Sequence, residues 1–248
     1  GTTTNMWTQS AESDFSKGIT HTVSINTKGE IRLSPKIEAI PGIKGAFVWS
    51  MAADLQNRIF VGTGDPGTVY LIKDGSEAVE LFKSPELYIQ SLAADKHGNL
   101  YAGTVPRGII YKIDSTGETT VFCSLPSPYI WDMSVDNNSN LFAATGNEGI
   151  LFKISPDGIP VVFFDSPETN LLDVLIDRYD NVYVGTEPNG LVYKITPSGQ
   201  AQVLYDANEG EIHCLSMDSM GNIYAGTASG AQAQVPMSPI PQPPVQTG

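Results

Sequence analysis

Glu211 and His213 stand two residues apart in the segment EIHCLSM, so on a strand both side chains leave the same face. A carboxylate beside an imidazole is a minimal pair for moving a proton near neutral pH. Asp132 in YIWDMSV and Asp173 in LLDVLI occupy matching places in related segments. Glu211, His213 and Asp132 are therefore the candidate catalytic residues, although nothing beside them completes a catalytic set. The same segments carry aromatic rings at equivalent places: Phe47 and Trp49, Tyr88, then Tyr129 and Trp131. Such rings suit contact with a small or extended ligand, and they equally suit packing between sheets. Asp65, Arg107, Asn147, Glu148, Glu187 and Asn189 fall in short loops that vary while their frame stays constant, which is where recognition concentrates.

The frame is a repeat. DLQNRIFVGT, DKHGNLYAGT, DNNSNLFAAT, DRYDNVYVGT and DSMGNIYAGT begin at Asp54, Asp95, Asp136, Asp177 and Asp218, each 41 residues after the last. A period between roughly 20 and 50 residues means a solenoid, a propeller or an array. An apolar strand precedes each Asp, and a second strand follows the turn. A Gly-bearing loop, a third strand, another turn and a fourth strand complete the unit. Four short antiparallel strands per unit, with no helical periodicity, predict an all-β fold, a β-propeller of four-stranded antiparallel blades. Asp is expected to close the first turn through its side chain, and the mid-strand Gly of the GT pairs to admit a close neighbour.

The two ends bear on the number of blades. THTVSINTKGEIRLSP reads as strands three and four of a blade, because Val23 and Gly29 are spaced as are Tyr111 and Gly117. IHCLSMDSMGNIYAGT supplies strands one and two and then stops. Together they predict a composite N/C-terminal closing blade and five blades in all, with a fragment of a larger ring as the alternative. The expected domains are an N-terminal arm (1–18), the propeller (19–230) and a Pro-rich extended tail (231–248) holding Pro236, Pro239, Pro241, Pro243 and Pro244. GNLYAGT, GIIYKID and GNIYAGT resemble the repeats of NHL, two-component-regulator and SMP-30-like propellers, the wider relatives of WD40-like folds. That resemblance implies the fold over about residues 20 to 230. For function it implies little, since such rings bind, sense, scaffold and occasionally catalyse.

Composition narrows the classes. A formal net charge of −13 argues against nucleic acid, whose phosphates demand clustered Lys and Arg. No apolar run approaches the roughly 18 to 20 residues of a membrane span. Cys123 and Cys214 form neither a disulfide framework nor a metal-ligand spacing and are expected as free, buried thiols. The Asp turns offer one carboxylate each, so neither a metal nor a cofactor is expected. Asn137-Asn138-Ser139 matches a glycosylation acceptor. An opening without Met and few Lys and Arg lean toward an extracytoplasmic (periplasmic or secreted) location. The expected role is a non-enzymatic binding or assembly module that meets protein partners through one face and the tail. The alternatives are a lactonase or hydrolase working at the channel mouth, and a glycan-binding, lectin-like ring.

Overall fold

The computed structural model describes residues 23–26, 28–34 and 38–229, all strand, turn and loop. The predicted arm and tail lie outside these residues. The chain divides into two compact units, residues 1–41 and 42–248, each described by itself. The first holds one antiparallel hairpin, β1 (Val23–Ile25) and β2 (Ile31–Leu33).

The second unit repeats one pattern. Its first sheet is β3 (Phe47–Ala53), β4 (Ile59–Gly64), β5 (Thr68–Lys73) and β6 (Glu77–Lys83). The next is β7 (Tyr88–Ala94), β8 (Leu100–Val105), β9 (Ile109–Ile113) and β10 (Thr119–Ser124). A third comprises β11 (Ile130–Val135), β12 (Leu141–Thr145), β13 (Ile150–Ile154) and β14 (Pro160–Asp165), and a fourth β15 (Asn170–Ile176), β16 (Val182–Glu187), β17 (Leu191–Ile195) and β18 (Ala201–Asp206). Last come β19 (Glu211–Met217) and β20 (Ile223–Ala228), paired only with each other among the described residues. Every pairing is antiparallel, and one bridge at Gly64–Tyr88 joins the first two sheets. This is the β-propeller architecture that the repeat predicts.

The Asp of the repeat builds the turn between the first two strands. Asp95 Oδ1 accepts the backbone N–H groups of His97 and Asn99, at 2.8 and 2.9 Å. Its Oδ2 accepts the Asn99 amide at 2.7 Å and the Tyr101 hydroxyl at 3.3 Å. Asp177 repeats all four bonds with Tyr179, Asn181 and Tyr183. Asp218 does so with Met220, Asn222 and Tyr224. In the first repeat Arg58 stands in for the Asn, its Nε 2.6 Å from Asp54 Oδ2. Adjacent turns also touch: the Asn137 amide of the glycosylation motif donates to Asp180 Oδ1 at 2.9 Å and to the Arg178 carbonyl.

The core lies between sheets. Phe60 and Val69 of the first sheet pack on Ile89, Leu92, Leu100 and Tyr111 of the second. Tyr101 and Ile110 pack on Ile130, Met133 and Leu141 of the third. Phe142 and Leu151 pack on Leu171, Val174 and Tyr193 of the fourth. No blade hides its apolar faces alone, which is why the unit recurs.

The two ends of this stack differ in cover. Val61, Tyr70, Ile72 and Ala78 of the first sheet are buried with Ile43 against them, whereas β3 and the last sheet expose side chains that are buried elsewhere in the repeat. Leu92, Met133 and Val174 turn toward the preceding sheet and are buried; Met51, at the same repeat position, is 64% exposed against 6% for Leu92. Tyr224 is 59% exposed where its equivalent Tyr101 is 2%. Each first strand packs on the next, from β3 to β7, β11, β15 and β19, but no comparable packing joins β19 to β3. Cys123 is free and buried as expected, whereas Cys214 is free and exposed. That correction has a plain cause: the Cys214 position faces the next sheet along, and none follows β19–β20 in the second unit among the described residues.

Candidate functional site

In the second unit the first strand of every sheet carries a β-bulge at the same place. Register breaks between Val48 and Ser50, Ile89 and Ser91, Ile130 and Asp132, Leu171 and Asp173, and Ile212 and Cys214. The residues left over are Trp49, Gln90, Trp131, Leu172 and His213. A bulged residue is unpaired and re-aimed, and all five line one cavity of about 470 Å³ at the axis of the second unit. Asp132, Asp173, Glu187 and Glu211 share its wall.

Room for the two indoles comes from glycine. Trp49 and Trp131 each have a Gly 15 residues on, Gly64 and Gly146, where the Gln90 and Leu172 blades carry Val105 and Glu187. A Cβ on Gly146 would overlap Trp131 Nε1 and lie 2.7 Å from Asn170 Oδ1. The Trp131 ring stacks on Tyr129 at 5.4 Å and 6°. Trp49 sits 5.7 Å from Phe47 and meets Tyr88 edge-on at 5.8 Å.

The position after each bulge ties neighbouring first strands together. Ser50 and Ser91 hydroxyls donate to the Ile89 and Ile130 carbonyls at 3.2 and 3.3 Å. Asp132 and Asp173 reverse the polarity, accepting the backbone N–H of Val174 at 3.0 Å and that of Leu215. Burial raises the Asp132 carboxyl above its ordinary range and the Asp173 charge raises it further, against the pull of the Val174 and Met133 N–H groups. Burial also raises Asp173, against the Leu215 N–H and the His213 charge. Burial and the Asp173 charge thus both work against ionisation of Asp132.

The remaining sequence-predicted residues divide. Asn147 N–H and Trp131 Nε1 both donate to Asn170 Oδ1, at 3.1 and 3.4 Å, and Asn170 Nδ2 donates to Glu187 Oε2 at 2.8 Å. Asn147, Trp131 and Glu187 thus meet through Asn170. Arg107 instead pairs with the buried Glu86. Asn189 donates through its amide and backbone to the buried Glu168, at 3.0 and 3.1 Å. Glu148 and Asp65 are exposed, outside the cavity wall. The sequence reading missed Glu86 and Glu168. Their signal was available: Glu86, Ser127, Glu168 and Glu209 share a repeat position, and Arg107 and Asn189 stand 21 residues after Glu86 and Glu168.

No family model and no curated protein matches the sequence. Solved structures do resemble it. Virginiamycin B lyase from Staphylococcus aureus superposes with a TM-score of 0.66 at 13% identity, over 83% of this chain and 70% of that one. A streptogramin B lyase gives 0.63 at 13% identity, over 76% and 71%. The extracellular domain of BT4673 from B. thetaiotaomicron gives 0.54 at 18% identity, over 73% of this chain and 25% of that one. At such identities the likeness is one of fold, and the fold is that of the β-propellers.

Proposed function

We propose that the chain is a non-enzymatic binding module whose recognition site is the axial cavity and its aromatic rim. One observation carries this reading: five bulges at one repeat position turn five different side chains into a shared space, while the residues beside them are spent in bonds between blades. A constant scaffold presenting variable groups is the logic of recognition. Asp132 and Asp173 sit where Ser50 and Ser91 do, in a structural role, which weighs against the acid–base assignment. Their raised carboxyls beside His213 favour proton transfer at the mouth as the second reading. A ligand-observed NMR screen of small molecules and short peptides tests the first. Hits should vanish in Gln90→Trp, which fills the cavity, and hits that survive it would place recognition elsewhere.

The protein partner, the tail as its contact and the extracytoplasmic location belong to the same proposal. The last is supported by the acidic composition and by a fold shared with an extracellular domain. The β1–β2 hairpin has the turn chemistry of a third-to-fourth-strand turn of the repeat. Asn26 Oδ1 accepts Lys28 and Glu30 N–H as Asp114 Oδ1 accepts Thr116 and Glu118 N–H.

A further inference from the structure

We infer that the axial cavity takes an organic cation, an amine or quaternary ammonium group carried on an apolar body. This rests on the binding reading above and narrows its ligand. Four carboxyl groups line the wall, from Asp132, Asp173, Glu187 and Glu211, and neither Lys nor Arg is among the lining residues. His213 is the one lining group able to carry positive charge and the Asp132 carboxyl is held back from ionising, which still leaves carboxyls in excess, and an acidic wall of low dielectric concentrates cations.

What kind of cation follows from how the groups are held. Asp132 and Asp173 are tied to backbone N–H groups of neighbouring strands, and Glu187 to the Asn170 amide. They cannot swing together around one small ion. Among the described residues no three or more Asp, Glu, His or Cys side chains converge as a metal site would require. A divalent metal takes about six oxygens at roughly 2.0–2.6 Å, and the wall does not supply them. Dispersed carboxyls suit a large cation of low charge density instead.

The indoles supply the other half. Trp131 and Trp49 both line the cavity, and Tyr129 stacks on one face of the Trp131 ring, holding it in place. An indole face is the strongest aromatic partner for an ammonium group, and its attraction grows as water is excluded. Leu92, Leu172 and Met51 provide apolar contact for the body of the ligand. The volume, about 470 Å³, falls in the range of small-molecule sites.

The test is an isothermal titration of the intact chain with choline and benzyltrimethylammonium. The neutral choline isostere 3,3-dimethylbutan-1-ol and the anion benzenesulfonate serve as comparisons. The ammonium probes should bind at least tenfold more tightly than the neutral isostere, with benzenesulfonate undetectable. Trp131→Leu and Glu211→Gln should each weaken the ammonium probes severalfold, and Glu187→Gln provides a second charge variant should either fail to fold. Equal affinity for cation and neutral isostere, abolished by Gln90→Trp, would overturn the cation assignment while leaving the cavity as the binding site. Preference for benzenesulfonate, or no ammonium binding at millimolar concentration, would overturn it as well.

Discussion

At the residue scale, the indole of Trp131 depends on a side chain that is missing 15 residues away. Gly146→Ala places a methyl group against Trp131 Nε1 and Asn170 Oδ1, so the ring must leave its stack on Tyr129. Overpacking of this kind costs about 1–3 kcal/mol, and it should appear as a lowered melting temperature with a red-shifted tryptophan emission. Asp132 and Asp173 make a pH prediction. Their folded-state carboxyls titrate above the ordinary value of 3.8, both because of burial and Asp132 also because of the Asp173 charge. Stability from a raised carboxyl is present below the unfolded pKa and is lost as pH rises through the folded one. Asp132→Asn keeps an acceptor for the Val174 N–H but carries no charge. It should flatten the fall in stability between about pH 4 and neutrality, and raise stability most at the upper end. Urea unfolding across that range checks the sign. A variant destabilised at neutral pH with an unchanged slope would refute the raised Asp132 carboxyl.

At the scale of the element, the Asp turn explains why one short motif is written five times. Asp95→Ala strands two backbone N–H groups, an Asn amide and the hydroxyl of the buried Tyr101. Buried unsatisfied groups cost about 1–3 kcal/mol each at most, so a loss of about 2–4 kcal/mol is expected for the set. Asp218→Ala removes the same four bonds in an exposed turn, where water replaces them, and should cost under about 1 kcal/mol. Asp177 is held below the usual carboxylate range. Burial works to raise it, and the Asn181 side chain, Asn181 and Tyr179 N–H and the Tyr183 hydroxyl together outweigh that. Its contribution is present above the unfolded pKa and lost as pH falls. These turns were legible in the sequence because their bonds are local, linking residues two, four and six apart. The strands were legible for the same reason. The bulges were not: the extra residue in YIWDMSV looks like any other until its partner strand fixes the register. Nor could local pattern show that Arg107 and Asn189 answer buried acids 21 residues earlier.

For the second unit as a whole, the order of sheets could be read from the repeat, but what covers its two ends could not, because cover is a long-range property. Leu92 and Met51 share a repeat position yet differ about tenfold in exposure, 6% against 64%. Leu92→Ala should cost about 2–5 kcal/mol, and Met51→Ala almost nothing. Cys214 should react with a maleimide in the native protein while Cys123 reacts only on unfolding, and protection of Cys214 would mean that something lies on the last sheet. The central claim is that Trp49 and Trp131 share one open, acidic cavity. It is tested most directly by fluorescence quenching of a Trp7→Phe protein with caesium and with iodide at equal ionic strength. Caesium should quench these indoles more efficiently than iodide, and the difference should disappear in Gln90→Trp once the added ring's own emission is subtracted. Equal quenching by the two ions, or stronger quenching by iodide, would contradict the account.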